Sequence, residues 1–262
     1  MFELLPSPLI RLPTMKPTRL PLLGLASLLL FSACSPTHAT ASETDNAKAA
    51  NVENKVLRHA VFFSFKEETS EAKIDKIVAA FAALPEKIDS IIGFEHGVNV
   101  ASKERSGGLT HCFLLTFADE AGRSIYLPHP EHKAFGSVLR PHVQDVFVID
   151  FWGTQPPTAP ESKQLKMAIF VKFKPDANPE QMKLLENAVS EKLAKLDSMH
   201  HLEWGVNNSP ETHDKGFTHA GMLTFTDSEA RDQTITDPVY QEIADSLGEL
   251  AENVRILEFW TN

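Results

Sequence analysis

LRHAVFFSFK, residues 57–66, is matched by LKMAIFVKFK, residues 165–174, and this pair sets the register of two long segments. Outward from it, residues 57–152 and residues 165–260 align at a constant offset of 108 positions without an insertion. GLTHCFLLTF lies over GFTHAGMLTF, and VFVIDFW lies over VRILEFW. A long segment present twice predicts two copies of one domain rather than a solenoid, which needs more repeats to bury its core.

Each copy predicts the element order β-α-β-β-α-β. HAVFFSF is rich in β-branched and aromatic residues and has no turn residue, which is typical of a strand. Apolar residues recur at helical spacing from Ile74 to Leu84 behind Ser70, a candidate N-cap, and copy 2 offers Asn178 followed by Pro179. The four strands are expected to form one sheet, and the two helices to pack on one face of it. Because the other face is also apolar, we expect the two sheets to pack against each other.

Each copy resembles the stress-responsive dimeric α/β-barrel (Dabb) family. The shared motifs are the opening RHAVFFSFK, the central G.TH....TF, the pattern Y..HP.H..F and the closing V.DF, and copy 2 keeps the framework but loses several polar positions. The resemblance implies an α+β fold of two ferredoxin-like domains, residues 57–152 and 165–260, joined by a Pro-rich linker over residues 153–164. Since single-domain members dimerise, it also implies that the two copies associate within one chain as a barrel-shaped pseudo-dimer.

The N-terminal segment has the layout of a secretory signal. Lys16 and Arg19 precede an apolar run from Leu20 to Phe31, which is shorter than the ~20 residues that span a bilayer, and FSAC follows. We therefore expect residues 1–34 to be a signal peptide whose lipobox-like end leaves Cys34 lipidated. This predicts an exported protein anchored to a bacterial membrane facing the periplasm, with plain periplasmic or secreted export and an uncut anchor as the alternatives.

The amino-acid composition limits which binding partners, disulfides and cofactors can be expected. Residues 35–56 are small and polar and predict a flexible tether. A net charge of −10 argues against nucleic acid and against electrostatic attachment to anionic lipid, so membrane contact is expected only through Cys34. If Cys34 carries lipid, Cys112 is the other cysteine and no internal disulfide can form. No Gly-rich phosphate loop or Ser-His-Asp order is present, and no cofactor is predicted.

Strand alternation points to a pocket in copy 1. His59 and Phe63 share one face of the first strand, and His111 lies on one face of THCFLLTF. If both faces look toward the helices, the two histidines project into one space beneath the helical layer. A mostly apolar pocket with a few polar groups is the usual small-molecule site. The predicted ligand-binding residues are His59, His111, Phe63, Phe81 and Phe135.

YLPHPEHKAF, residues 126–135, approaches this pocket from the loop before the last helix. The family resemblance, through a cofactor-free plant polyketide cyclase, implies catalytic roles for Tyr126 and His132 if the protein is an enzyme. A histidine can accept a proton, and a tyrosine hydroxyl can polarise a carbonyl. The structural alternative is that the His-Pro-x-His stretch simply begins a helix, with Pro130 in its first turn.

Copy 2 restricts where a site can lie. At the offset of 108, Tyr126 becomes Thr234 and His132 becomes Tyr240, while His111 is retained as His219. A histidine kept where its partners vanish indicates a structural role, so a site is expected in copy 1 alone. A metal held by His129 and His132 with a third histidine is a further alternative, but no cysteine or carboxylate completes a familiar motif and no metal is predicted.

Two function classes follow from these patterns. The preferred one is an exported stress-response α/β-barrel protein that binds or protects without catalysis, with a possible small apolar ligand in the copy 1 pocket. The alternative is a cofactor-free cyclase acting on a small aromatic or polyketide-type compound through Tyr126 and His132. Export favours the first, since polyketide substrates are normally intracellular.

Overall fold

The computed structural model describes residues 55–154 and 162–262. The predicted signal peptide, Cys34, the tether as far as residue 54 and linker residues 155–161 lie outside the described residues. None of the helices within the two described segments is long and apolar enough to cross a membrane.

Each copy follows the predicted element order with small additions. The elements of copy 1 are β1 Lys55–Phe65, α1 Glu71–Ala82, β2 Gly93–Val98, α2 Lys103–Ser106, β3 His111–Phe117, α3 Glu120–Tyr126, α4 Pro130–Leu139 and β4 Val143–Thr154. Those of copy 2 are β5 Leu165–Phe173, α5 Pro179–Glu191, a 3-10 turn Leu193–Lys195, β6 His201–Val206, β7 His219–Phe225, α6 Ser228–Thr236, α7 Pro238–Leu250 and β8 Ala251–Trp260.

The strands form two four-stranded antiparallel sheets in the orders β2-β3-β1-β4 and β6-β7-β5-β8. This arrangement confirms two tandem ferredoxin-like α+β domains. The ends differ slightly from prediction, because Lys55 already pairs with Thr154. The first strand therefore takes the last two residues of the predicted tether, and β4 takes the first two of the predicted linker.

Strand β1 is buried over most of its length because both of its faces are covered. Phe63 packs with Ile77 of α1 in the core beneath the helices of copy 1. Phe62, on the opposite face, belongs to a core that the two sheets share. The alternation predicted from the sequence thus assigns β1 side chains to the correct faces.

The shared core joins the two copies. Phe62 and Phe147 of copy 1 each place their rings 5.0 Å from the ring of Phe170 in copy 2. Cys112 is buried in the same core, and burial raises the pKa of its thiol well above the ordinary value. Aromatic burial of this kind is a major contribution to stability.

Backbone hydrogen bonds also connect the copies at their edges. The amide of Val100 donates to the carbonyl of Glu258 at 2.7 Å, and the amide of Asn208 donates to the carbonyl of Asp150 at 2.8 Å. Loops that follow β2 and β6 are thereby bonded to the last strand of the other copy.

The pair His129-Pro130 begins a helix in copy 1, and the pair Asp237-Pro238 begins the equivalent helix in copy 2. The amide of Glu131 donates to Nδ1 of His129 at 3.2 Å, which places Pro130 in the first turn of α4. In copy 2, Asp237 accepts from the amide of Val239 at 2.7 Å in the same position. His129 therefore acts as a helix cap, which matches the structural interpretation of this residue.

Candidate functional site

A buried polar cluster surrounds His59 at the boundary between the copies. Its Nδ1 donates to Oδ1 of Asp150 at 2.7 Å, and Nη1 of Arg123 donates to Oδ2 of the same carboxylate at 2.7 Å. All three side chains are less than a tenth exposed. We call this group, together with Tyr126, His132 and Glu211, the His59 cluster.

Burial and charge oppose each other in the His59 cluster. Burial by itself would lower the pKa of His59, but the charge and hydrogen bond of Asp150, helped by Glu211, raise it above the ordinary value. Burial by itself would raise the pKa of Asp150, but His59 and Arg123 lower it. The arrangement therefore favours a charged pair, with the carboxylate held between two cations.

Copy 2 completes the cluster. Oε2 of Glu211 lies 3.8 Å from Nε2 of His59. The backbone oxygen of Asn208 accepts from Nη1 of Arg123 at 3.1 Å. The polar site that the sequence predicted within copy 1 is therefore built from both copies.

Tyr126 and His132 lie next to His59 in the cluster. The Tyr126 ring lies 4.2 Å from that of His132 and edge-on to that of His59 at 5.5 Å. Nδ1 of His132 donates to the carbonyl of Leu127 at 3.0 Å, which leaves Nε2 as the acceptor of the neutral ring. Burial lowers the pKa of His132, and burial followed by the charges of Glu211 and Asp150 raises the pKa of Tyr126.

His111 does not belong to this cluster. In the β1–β3 register His59 faces Leu115 and Phe63 faces His111, so the two histidines lie four steps, or about 13 Å, apart along the strands. The expectation that both reach one pocket is wrong, because alternation gives the face of a strand but not the position along it. His111 instead packs edge-on against Phe65 at 4.9 Å.

His219 repeats the environment of His111 in copy 2. Each histidine places Nδ1 2.9 Å from the hydroxyl of the preceding threonine and packs edge-on at 4.9 Å against a phenylalanine of the neighbouring strand, Phe173 in copy 2. This repetition supports the structural role inferred from the retention of the histidine in both copies.

Four phenylalanines fill the interior of copy 1. Phe81 lies between Phe113 and Phe135, with ring centroids 4.5 Å from each, and Phe63 lies 5.4 Å from Phe113. All four belong to the buried core beneath the helices. The residues predicted as pocket walls, Phe63, Phe81 and Phe135, thus contact one another and occupy the space expected for a ligand. The small apolar pocket predicted in copy 1 is therefore not found at these residues.

An apolar cavity lies instead in copy 2, between the sheet and helices α5 and α7. Its volume is about 260 Å³ and it is partly open. Its walls are aliphatic apart from two aromatic residues and small backbone surfaces, and they include Ile169, Leu185, Val189, Leu202, Trp204, Leu223, Tyr240, Ile243, Leu247 and Ile256. We call this space the copy 2 cavity.

The cavity exists because copy 2 carries smaller residues. At the offset of 108, the four phenylalanines of copy 1 become Val171, Val189, Gly221 and Ile243. Trp204 fills part of the vacated volume, since a Cβ built on Gly221 would lie 2.9 Å from Cε3 of the indole. The rest of the volume stays empty.

Trp204 and Tyr240 are the two residues of the cavity wall whose side chains carry a polar atom. Nε1 of Trp204 is buried and has no hydrogen-bond partner in the described part of the chain. The hydroxyl of Tyr240 lies 4.0 Å from Sδ of Met167, which is a weak contact. These residues occupy the positions of His96 and His132 in copy 1.

The sequence of each copy matches the model of a known protein family, in agreement with the two-domain fold described above. The model of the stress responsive A/B barrel domain matches residues 57–153 and again residues 165–261. The chain belongs to this family.

Individual proteins resemble this chain over about a third of its length or over most of it. Protein HS1 of Arabidopsis thaliana, described as stress-response A/B barrel domain-containing, is 30% identical over 95 residues, which is 36% of this chain and 87% of HS1. Olivetolic acid cyclase of Cannabis sativa is 26% identical over 95 residues, 36% of this chain and 94% of the cyclase. An anthrone oxidase-like protein of known structure covers 81% of this chain and 93% of its own at a TM-score of 0.54 and 9% identity, which shows similarity of fold alone.

Sequence reasoning missed two features of this A/B barrel chain. The first is the Arg123–Asp150 pair, which a comparison of the copies could have indicated because Arg231 and Glu258 form the same kind of pair in copy 2. The second is the copy 2 cavity, which the smaller apolar residues of copy 2 at the offset of 108 could have indicated. Within the described segments no group of three metal-ligating side chains comes together.

Proposed function

We propose that the protein is a non-catalytic binding module of the stress-response A/B barrel family that holds a small apolar molecule in the copy 2 cavity. The observation that carries this proposal is the empty apolar volume of about 260 Å³ at the place where copy 1 packs four phenylalanines. An apolar cavity of about 150 Å³ is enough to bind benzene in another protein. The proposed pocket therefore moves from copy 1, where it was predicted, to copy 2.

Copy 1 is the scaffold in this proposal. We take the two copies to form one barrel-shaped pseudo-dimer, which the shared aromatic core and the backbone bonds from Val100 and Asn208 support. The filled interior of copy 1 and the charged His59 cluster would hold the sheets in place while copy 2 opens for a ligand.

A cavity-filling substitution tests the proposal. Ethylbenzene should raise the melting temperature of the wild-type chain, and Val189→Phe, which restores the residue type of Phe81, should abolish that rise. Leu184→Phe is the matched control, because Leu184 lies on the same helix but is 67% exposed. An equal rise in Val189→Phe, with circular dichroism showing that it is folded, would exclude the copy 2 cavity as the binding site.

We further propose that the protein is exported and lipid-anchored through Cys34. The charged n-region, the short apolar run and the FSAC end support this proposal. Cells labelled with a palmitate analogue should incorporate label into the wild-type chain but not into Cys34→Ala. Label retained by Cys34→Ala would reject the anchor.

A cofactor-free cyclase is the second candidate function. It is favoured by the contact between Tyr126 and His132 and by the bond from Nδ1 of His132 to Leu127, which makes Nε2 the acceptor nitrogen of the neutral ring. It is opposed by the burial of Tyr126, which is 1% exposed and packs on Phe117 at 5.3 Å. Turnover of a linear polyketide thioester that is lost in Tyr126→Phe and in His132→Ala, but kept in Val189→Phe, would support it. No turnover by the wild-type chain would reject it for this substrate class.

A further inference from the structure

We infer that the boundary between the copies is selective: the face that copy 1 presents there accepts copy 2 of this chain and rejects a second copy 1. The inference rests on the packing of the two copies proposed above but not on a ligand in the copy 2 cavity. Two loops carry it, the copy 1 loop over residues 99–110, between β2 and β3, and the copy 2 loop over residues 207–218, between β6 and β7.

The two loops are fixed to the boundary in the same way. Oδ1 of Asn99 accepts from the amide of Glu258 at 3.0 Å, and Oδ1 of Asn207 accepts from the amide of Asp150 at 3.3 Å. Asn207 and Glu258 occupy the positions of Asn99 and Asp150 at the offset of 108. Each loop therefore lies against the same strand position of the other copy. A like pair, made of two copies 1 or two copies 2, would place its loops equally.

Two further ion pairs hold the boundary together without selecting a partner. Nε of Arg58 donates to Oε1 of Glu203 at 2.7 Å, and Nζ of Lys166 lies 3.2 Å from Oε1 of Glu95. At the offset of 108, Lys166 replaces Arg58 and Glu203 replaces Glu95. A like pair would thus keep a cation opposite a carboxylate at both places. Selection has to come from the loops.

The group around Asp150 receives an anion from copy 2. Asp150 is a single carboxylate between Arg123 and His59, whose pKa it raises, so copy 1 itself supplies two cations and one anion here. Glu211 of the copy 2 loop adds the second anion, with Oε2 3.8 Å from Nε2 of His59. The copy 2 loop therefore neutralises an excess of positive charge in copy 1.

The group around Glu258 receives a cation from copy 1. Glu258 pairs with Arg231 of its own copy, and Nε of Arg231 also lies 2.7 Å from Oδ1 of Asp232, so two carboxylates share one guanidinium. Nη1 of Arg105, in the copy 1 loop, donates to Oε1 of Glu258 at 3.0 Å. The copy 1 loop therefore neutralises an excess of negative charge in copy 2.

A like pair would lose this match of charges. The net charge is +1 for the copy 1 loop, with Lys103, Glu104 and Arg105, and −1 for the copy 2 loop, with Glu211, Asp214 and Lys215. Between two copies 1, the positive loop would meet the positively charged group around Asp150. Between two copies 2, the negative loop would meet the two carboxylates around Glu258. Unmatched charge at a buried boundary is costly, so the mixed pair of copy 1 with copy 2 is selected.

A third contact between the copies favours the same pairing. Lys215 of the copy 2 loop pairs with Asp145 of β4, and both side chains are about one third exposed. Copy 1 has Gly107 at the position of Lys215, and copy 2 has Asn253 at the position of Asp145. A like pair would therefore lack either the cation or the carboxylate. The contribution is small because the pair is exposed.

Reassortment of the copies tests the inference. A protease recognition sequence at linker residues 155–161 allows the folded full chain to be cut between the copies. The cut protein is then unfolded in urea, refolded and analysed by native mass spectrometry, which resolves like and mixed pairs because the copies differ in mass. Random pairing gives as many like pairs as mixed pairs. We expect like pairs to remain below about a tenth of the mixed pairs.

Exchange of the loop charges should weaken the preference. Arg105→Glu combined with Glu211→Lys makes the copy 1 loop negative and the copy 2 loop positive, so each loop then suits a copy of its own kind. The share of like pairs should rise severalfold. Glu68→Lys combined with Arg140→Glu is the matched control, because both residues are exposed in copy 1 outside its loop, and it should leave the share unchanged.

The intact chain gives a second readout that does not need cleavage. Glu211→Lys places a cation beside His59, as a pair of two copies 1 would, and should lower the melting temperature by about 3–6 °C. The loss should be smaller in a His59→Gln background, because the repelling imidazole is then absent. Glu68→Lys should change the melting temperature by less than about 2 °C.

The outcomes separate selectivity from packing. A refolded mixture with as many like pairs as mixed pairs would overturn the selectivity and leave the packing of the copies intact. Recovery of no pairs would overturn the packing as well. Equal melting temperatures for Glu211→Lys and Glu68→Lys, or a loss that is undiminished by His59→Gln, would show that the loop charges do not act at the boundary. None of these results depends on ligand binding in the copy 2 cavity.

Discussion

At the scale of single residues, Asp150 is the centre of the polar contacts of copy 1. Its carboxylate accepts from His59 and Arg123 and is fully buried in the middle of strand β4. Removing one partner of a buried ion pair leaves an uncompensated charge, which costs more than the pair itself contributes. Asp150 is therefore expected to be among the least replaceable polar residues of the chain.

Asp150→Asn should lower the free energy of unfolding by about 3–5 kcal/mol, measured by urea denaturation at pH 6. It should also bring the pKa of His59 below its ordinary value, because burial then acts without the opposing carboxylate. Asp145→Asn is the control, since Asp145 pairs with Lys215 at the surface and both side chains are about one third exposed. A change of less than about 1 kcal/mol is expected there. Equal losses in the two variants would contradict the role given to Asp150.

His59 predicts a pH dependence of stability. Its pKa is raised in the folded protein above 6.5, so its contribution is complete below about pH 6.5 and is lost as the pH rises through the raised value. The destabilisation caused by His59→Gln should therefore be larger at pH 6 than at pH 9. His111 is the control, because burial lowers its pKa and its contribution should not fall as the pH rises. A His59→Gln penalty that grows with pH would show that the sign is wrong.

At the scale of elements, the two helix-to-sheet layers are filled differently. Helices α1 and α4 close over Phe63, Phe81, Phe113 and Phe135, whereas α5 and α7 close over the copy 2 cavity. Empty apolar volume costs stability in proportion to its size. Copy 2 therefore carries a local instability that a ligand or a larger side chain would relieve.

Reciprocal substitutions test this difference between the layers. Phe81→Val should destabilise the chain by about 2–4 kcal/mol because it opens a cavity in copy 1. Val189→Phe, at the equivalent position, should stabilise it by about 0.5–2 kcal/mol because it fills one. Both values come from chemical denaturation of the unliganded chain. Comparable destabilisation by the two substitutions would mean that copy 2 is already packed.

Much of the element layout was predictable from local pattern. HAVFFSF is rich in β-branched and aromatic residues, as expected for a strand with both faces buried. The helix starts at Pro130 and Pro238 follow from the preference for a capping residue before a proline in the first turn. The four-residue helix α2 was not predicted, since a single turn has no apolar periodicity to detect. The place of His111 along β3 was not predicted either, because it depends on the strand register rather than on alternation.

At the scale of the whole molecule, the proposed function gives the two duplicated domains different roles: copy 1 supports the structure and copy 2 binds the ligand. The offset of 108 predicted the two domains directly. Contacts between the copies could not be predicted from local sequence patterns, because Glu211 approaches His59 only when the two sheets pack together. The copy 2 cavity could have been predicted from the sequence, since Phe81 aligns with the smaller Val189 and Phe135 with the smaller Ile243.

The location of a bound ligand tests the central claim most directly. Methyl resonances of the full chain should be followed by NMR during titration with ethylbenzene. We predict that the methyl groups of Val189, Ile243 and Leu247 shift while those of Ile77 and Leu139, beneath the helices of copy 1, do not. Shifts confined to Ile77 and Leu139, or no shifts at all at saturating probe, would contradict a binding cavity in copy 2.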